Sequence, residues 1–152
     1  MDAINNLGVI FSDALAEVIA TVTSVYLQII PSEEDPGFEE ITGFMSLNGN
    51  NNGMVFISAD EKTMRSICSF MTGLRISDIV VKDVEDALCE LVNMTAGSAK
   101  LRFNSAEEAY SLSPPFIFRG SNMTIIPKKR VNIISTTLGN GDISIKLKVV
   151  FY

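Results

Sequence analysis

The string DALAEVIA at Asp13–Ala20 returns as DALCELVN at Asp86–Asn93. Both carry the apolar spacing of an amphipathic helix, and each is followed by strand-like segments. A helix that must bury one face, met twice with strands to bury it against, restricts the chain to two pseudo-equivalent halves packed in layers. The 152 residues, 47% of them apolar, suit one domain over residues 1–152 with a single core.

The rest of the chain fills in that frame. Phe11, Leu15, Val18, Ile19 and Val22 mark a first helix from Leu7 to about Thr23. Val25–Ile30, closed by Pro31, reads as a strand, and acidic Ser32–Pro36 as a turn. Phe38–Leu47 and Met54–Ser58 form a hairpin around the turn cluster Asn48–Gly53. Ser58 followed by Glu61 has the spacing of a capping box, and a short helix then runs to a stop at Gly73. A longer helix spans about Val81 to Phe103, and Asn104–Pro115 reads mostly as loop. Phe116–Phe118, Met123–Ile126, Val131–Thr137 and Ile143–Phe151 are strand candidates, the last two joined by a turn at Gly139–Asp142. The expected fold is α+β: pseudo-repeated α-β-β-β halves forming an antiparallel sheet with the long helices packed on it.

Composition removes several function classes. A net charge of -6 repels a phosphate backbone, so nucleic acid is not an expected partner. The chain has no histidine, which removes the usual neutral-pH base, the Ser-His and Cys-His pairs and most zinc sites. Cys68 and Cys89 have no metal-ligand spacing and read as reduced, small apolar residues. Asp2 and the lack of a basic n-region argue against a signal peptide, and the uncharged run Val18–Ile30 falls short of the ~20 residues that span a bilayer. A soluble, cytoplasmic protein with no membrane partner is expected.

On the longer helix, Val84, Leu88, Leu91, Val92, Thr95 and Ala99 share the buried face, while Asp86, Glu90, Asn93 and Gly97 lie opposite, toward solvent. Glu90 and Asn93 are neighbours at i and i+3. Gly97, one turn on, costs the helix ~1 kcal/mol relative to alanine. Such a glycine allows close approach, either by a partner or by a loop of the same chain, and a solvent-facing Glu-x-x-Asn alone is ordinary. In the first helix the corresponding residues are Asp13, Glu17 and Ala20, so that helix offers no amide.

Asp86, Glu90, Asn93, Met94 and Gly97 in DALCELVNMTAGSAK, with Pro115 downstream, resemble the CheC/CheX family of chemotaxis phosphatases. The single equipped helix is closer to CheX than to two-site CheC. The resemblance implies a phosphatase that hydrolyses the phospho-aspartate of a CheY-type response-regulator receiver in two-component chemotaxis signalling. It implies that Asn93 orients the attacking water, that Glu90 holds the receiver's lysine, and that Asp86, Met94 and Gly97 help to dock the substrate protein. It further implies no metal or cofactor of its own, with Mg²⁺ in the receiver, and a homodimer joined through strands such as Ile143–Phe151 if that strand lies at the sheet margin. The alternative is a non-catalytic module that binds a receiver or a flagellar-switch component.

Overall fold

The structure, a computed structural model, describes residues 2–31, 35–103 and 110–152, with side chains from residue 6 onward. Helix α1 (Asp2–Thr23) is followed by the short strand β1 (Gln28–Ile30) and by the hairpin strands β2 (Ile41–Gly49) and β3 (Gly53–Ala59). Helix α2 (Glu61–Thr72), one 3-10 turn at Ile76–Asp78 and helix α3 (Val81–Leu101) come next. Then follow β4 (Tyr110–Leu112), β5 (Phe116–Arg119), β6 (Asn132–Gly139) and β7 (Ser144–Phe151).

The strands form one antiparallel sheet in the order β1-β6-β7-β3-β2, with β4 and β5 placed end to end along the outer edge of β2. This order exchanges strands between the halves. Gln28 of β1 stands opposite Gly139 of β6, and Phe116 of β5 opposite Phe44 of β2, while β3 and β7 meet at the centre. Along each central strand alternate residues face the helices: Ile41, Met45 and Leu47; Val55, Ile57 and Ala59; Ile145, Leu147 and Val149 join the helical side chains in one buried cluster. Helix α1 lies over β6 and β7, and α3 over β2 and β3. The other face carries Phe38, Phe44, Phe56, Phe116 and Phe118 in mutual ring contact, beside a buried Lys148 paired with Asp35 at 2.9 Å.

Several sequence expectations need correction. Ser58 does not cap α2, because its hydroxyl is buried in the sheet, accepting from the Glu39 N–H and bonding Thr42; Asp60 caps instead, accepting from the Thr63 N–H at 2.7 Å. Tyr110–Leu112, read as loop, pairs with Leu47–Gly49, while residues 104–109 of that expected loop and 32–34 of the expected acidic turn lie outside the described residues. Met123–Ile126 is not a strand. Strand β7 is flanked by β6 and β3, so Ile143–Phe151 offers no free edge; the margins of the sheet are β1 on one side and β4 with β5 on the other. Helix α1 also begins earlier than its apolar spacing indicated, and residues 6–23 are long and apolar enough by length and composition to cross a membrane. Its apolar side chains Phe11, Ala14, Leu15, Val18 and Ile19 are instead buried in the core.

Candidate functional site on helix α3

Helix α3 is held on all sides but one. Its buried face places Val84, Leu88, Leu91, Val92, Ala96 and Ala99 in the core, and each fully buried Leu or Val contributes roughly 1.5–3 kcal/mol. Gly43 lets the helix sit close on β2: a Cβ there would stand 2.7 Å from Val92 Cγ2 and 3.0 Å from Leu88 Cγ. At the N-terminus the Val80 N–H donates to Asp83 Oδ2 at 2.9 Å, the acidic side chain opposing the helix dipole. Arg119, at the end of β5, forks between Glu85 of α3 at 3.0 Å and Glu61 of α2 at 2.9 Å. Arg65 donates from α2 to the Ile79 carbonyl just before α3. Near the C-terminus the buried Tyr110 hydroxyl donates to the Ala96 carbonyl at 3.1 Å, and burial pushes its phenol well above the ordinary tyrosine range. These clamps fix the helix so that its outward face is presented rigidly.

On that face lie the residues singled out in the sequence. Asp86, Glu90 and Asn93 are exposed, and Gly97 is half-buried. Asp86 is bonded by Lys82 at 2.9 Å, and its carboxylate holds the ammonium above the ordinary lysine range. Glu90 and Asn93 have no hydrogen bond or ion pair among the described residues, so both keep their full bonding capacity for something else. The two explanations open for Gly97 are now separable: a Cβ built there meets nothing within 4 Å. No loop among the described residues packs on it, so the helix face at Gly97 is open as far as those residues reach. Met94 lies at the edge of the face, partly packed on the core. Pro115 stands at the break between β4 and β5, where the missing proline N–H interrupts the ladder along β2, while Ser113 bridges to Ser46 through both backbone and side chain. Lys100 is exposed and has no assigned role.

Cys89 sits beside this face. Burial pushes its thiol up, and Asp86 and Glu85 push in the same direction, so it stays protonated near neutral pH and is a poor nucleophile. A shallow groove of about 290 Å³ runs between α2 and α3, lined by Met71, Thr72, Asp83, Asp86, Ala87 and Glu90. The supports at Gly43, Tyr110 and Arg119 were not legible in the sequence, because each acts across elements far apart in the chain. The uncharged amide beside a carboxylate on a rigid, convex helix can position water and a cation inside another molecule's cavity; it does not form a pocket that encloses a small substrate.

A family model described as Chemotaxis phosphatase CheX matches residues 41–138, which include α3. No match is found among curated proteins. Among solved structures, the chain is similar to chemotaxis protein CheX from Vibrio vulnificus, with 22% identity, 93% of each chain covered and a TM-score of 0.80. It is similar to a CheX from Desulfovibrio desulfuricans, with 16% identity over 97% of this chain and 99% of that one and a TM-score of 0.82. It is also similar to a CheX–CheY–BeF3–Mg²⁺ complex from Borrelia burgdorferi, with 18% identity over 93% of this chain and 95% of that one and a TM-score of 0.76. These likenesses show the fold.

Proposed function

The chain belongs to the chemotaxis phosphatase CheX family, and on that premise we propose that it hydrolyses the phospho-aspartate of a CheY-type receiver domain, with Asn93 and Glu90 as its catalytic pair. The observation that carries this reading is that Glu90 and Asn93, on a clamped helix, have no bonding partner among the described residues, none of which packs on Gly97 beside them. The complex of a family member from Borrelia burgdorferi with CheY supports the choice of partner.

In this reading α3 enters the receiver's active site. The Asn93 amide holds a water in line with the bond to be broken, and Glu90 pairs with the receiver's lysine and fixes the approach. The water oxygen attacks phosphorus, the bond from phosphorus to the aspartate oxygen breaks, and the electron pair leaves with the carboxylate as inorganic phosphate forms. Phosphoryl transfer of this kind is catalysed by positioning and charge placement, so a neutral amide serves without any tuned pKa. Mg²⁺ would belong to the receiver and neutralise charge there. Asp86, Met94 and Gly97 would dock the substrate protein, Gly97 by letting its surface approach the helix backbone.

The test is phosphate release from a phosphorylated receiver with Mg²⁺, comparing no added protein, wild type and Asn93→Ala. Acceleration by the wild type alone is expected. If Asn93→Ala accelerates as well as wild type, or if wild type does not accelerate, the alternative of a binding module replaces the enzyme. The same proposal places the chain in the cytoplasm, in two-component signalling, as a homodimer joined through strands. The exposed β1 margin, with Ile29 57% and Ile30 42% exposed, supports a joint at that edge. Light scattering should then give a dimer mass, and Ile29→Lys should lower it to that of a monomer.

A further inference from the structure

The chemistry just derived stops at Gly97, and α3 runs on to Leu101 with the same face turned outward. At about 100° and 1.5 Å per residue, Lys100 stands within about 20° of Asn93 around the helix and about 10 Å further along it, with Gly97 between them. The two lysines at the ends of this stripe are in different states. Lys82 is bonded by Asp86 at 2.9 Å, so each charge of that pair is already answered within the helix. Lys100 is exposed, and its ammonium has no hydrogen bond or ion pair among the described residues. Glu17 of α1, which reaches this end of α3, is bonded to Arg102 instead. Leu101, beside Lys100, is 88% exposed, more than any other large apolar side chain among the described residues.

A partner centred on Asn93 that covers the roughly 800 Å² per side of an ordinary interface reaches about 16 Å from its centre, so Lys100 falls beneath it. A cation taken out of water without a partner is costly. In the phosphatase reading Glu90 is answered by the receiver's lysine, and Lys82 and Asp86 answer each other. Lys100 is then the one charge of the stripe for which docking must supply an anion. Resting on that reading, we propose that Lys100 is a receiver-recognition residue whose ammonium pairs with a carboxylate on the rim of the receiver's active-site cleft, about 10 Å from the point that Asn93 enters. Glu90 and Lys100 lie on opposite sides of Asn93 along the helix. Together they give α3 a direction: a receiver seated the other way round would set its lysine against Lys100 and its carboxylate against Glu90. The same contact takes Leu101 out of water at the end of the helix.

The full chain is titrated at low and high salt with a receiver carrying Mg²⁺ and BeF3 in place of the phosphoryl group, and turnover is measured separately with phosphorylated receiver. At low salt Lys100→Ala should raise Kd about threefold and Lys100→Glu about tenfold, and both differences from wild type should shrink as salt is added. Lys100→Arg, which keeps the charge, should bind within about twofold of wild type. The loss should appear in KM and not in kcat at saturating receiver. A lysine in the last turn also favours the helix dipole, but that role alone lowers the denaturant midpoint and leaves the salt dependence of Kd as in wild type. Wild-type Kd in Lys100→Glu overturns the contact. Equal weakening in Lys100→Ala and Lys100→Glu, with the salt dependence of wild type, overturns the carboxylate as its partner. Asn93→Ala separates this from the phosphatase reading: it should remove turnover, and if it keeps turnover, that reading fails while the Lys100 series of Kd still decides whether this end of α3 meets the receiver.

Discussion

Helices α1 and α3 descend from one repeated pattern and occupy corresponding places in the fold, yet they present opposite chemistry to solvent. Helix α1 lies over β6 and β7 as α3 lies over β2 and β3, and each buries the apolar residues of its repeat. The outward residues differ. Glu17, at the position of Glu90, is paired with Arg102, and Ala20 replaces the amide of Asn93. On α3, Glu90 has no partner among the described residues and Asn93 stands next to it. The comparison teaches that a shared backbone frame does not make a site. What separates the two helices is one amide and the neutralisation of one carboxylate.

The largest effect should come from erasing that difference on α3. Asn93→Ala makes the two helices alike at this position and should lower the rate of phosphate release about 100-fold or more, the scale seen when one positioned polar group is lost from a reacting centre. Single-turnover measurement on phosphorylated receiver checks this. Glu90→Ala should cost less, about tenfold in kcat/KM, because the remaining amide still orients water while the receiver seats less exactly in register. Gly97→Ala should act in opposite directions on folding and on function. With nothing within 4 Å to meet the new methyl, the helix should gain ~1 kcal/mol in denaturant unfolding, while affinity for the receiver falls. A variant that gains stability and keeps its affinity would show that no partner approaches there.

The smallest effects lie on α1. Arg102→Ala frees Glu17 but removes a pair that is half-buried at Arg102 and exposed at Glu17, so stability should change by about 1 kcal/mol or less and phosphate release should not change. In the Asn93→Ala background, Ala20→Asn alone should leave turnover at the background level, since Glu17 remains paired with Arg102. Recovery of activity in that variant would mean that the amide alone distinguishes the helices.

The sequence made the two faces of α3 readable, because the 3.6-residue period sorts Leu88, Leu91 and Val92 from Asp86, Glu90 and Asn93 without any knowledge of the sheet. It did not show which strands would be neighbours. Met123–Ile126 is as β-branched as true strands of this protein, but the outer edge of β2 is already taken by β4 and β5, and Asn122 turns the chain with φ 57. Tyr110–Leu112 has a weak local preference and becomes a strand because Leu47–Gly49 offers it partners. Ser58 had the right spacing for a cap, and lost that role to Asp60 once β3 extended to Ala59. For the site, the residues of one helix were visible, whereas Gly43, Tyr110 and the α2 side of the groove depend on packing between distant segments.

The exchange of strands between the halves has a consequence for how this protein is made and kept. The hairpins β2–β3 and β6–β7 are local and inexpensive to close, but β1 completes the second half and β5 completes the first. Neither half therefore has a finished sheet before the other is present, and loop closure over most of the chain must precede the last pairings. Folding should be a single cooperative event, with no surviving intermediate that contains α3 alone. Helix α3 rests on β2 and β3 and against α1, so its full set of neighbours is in place only when both halves have folded together.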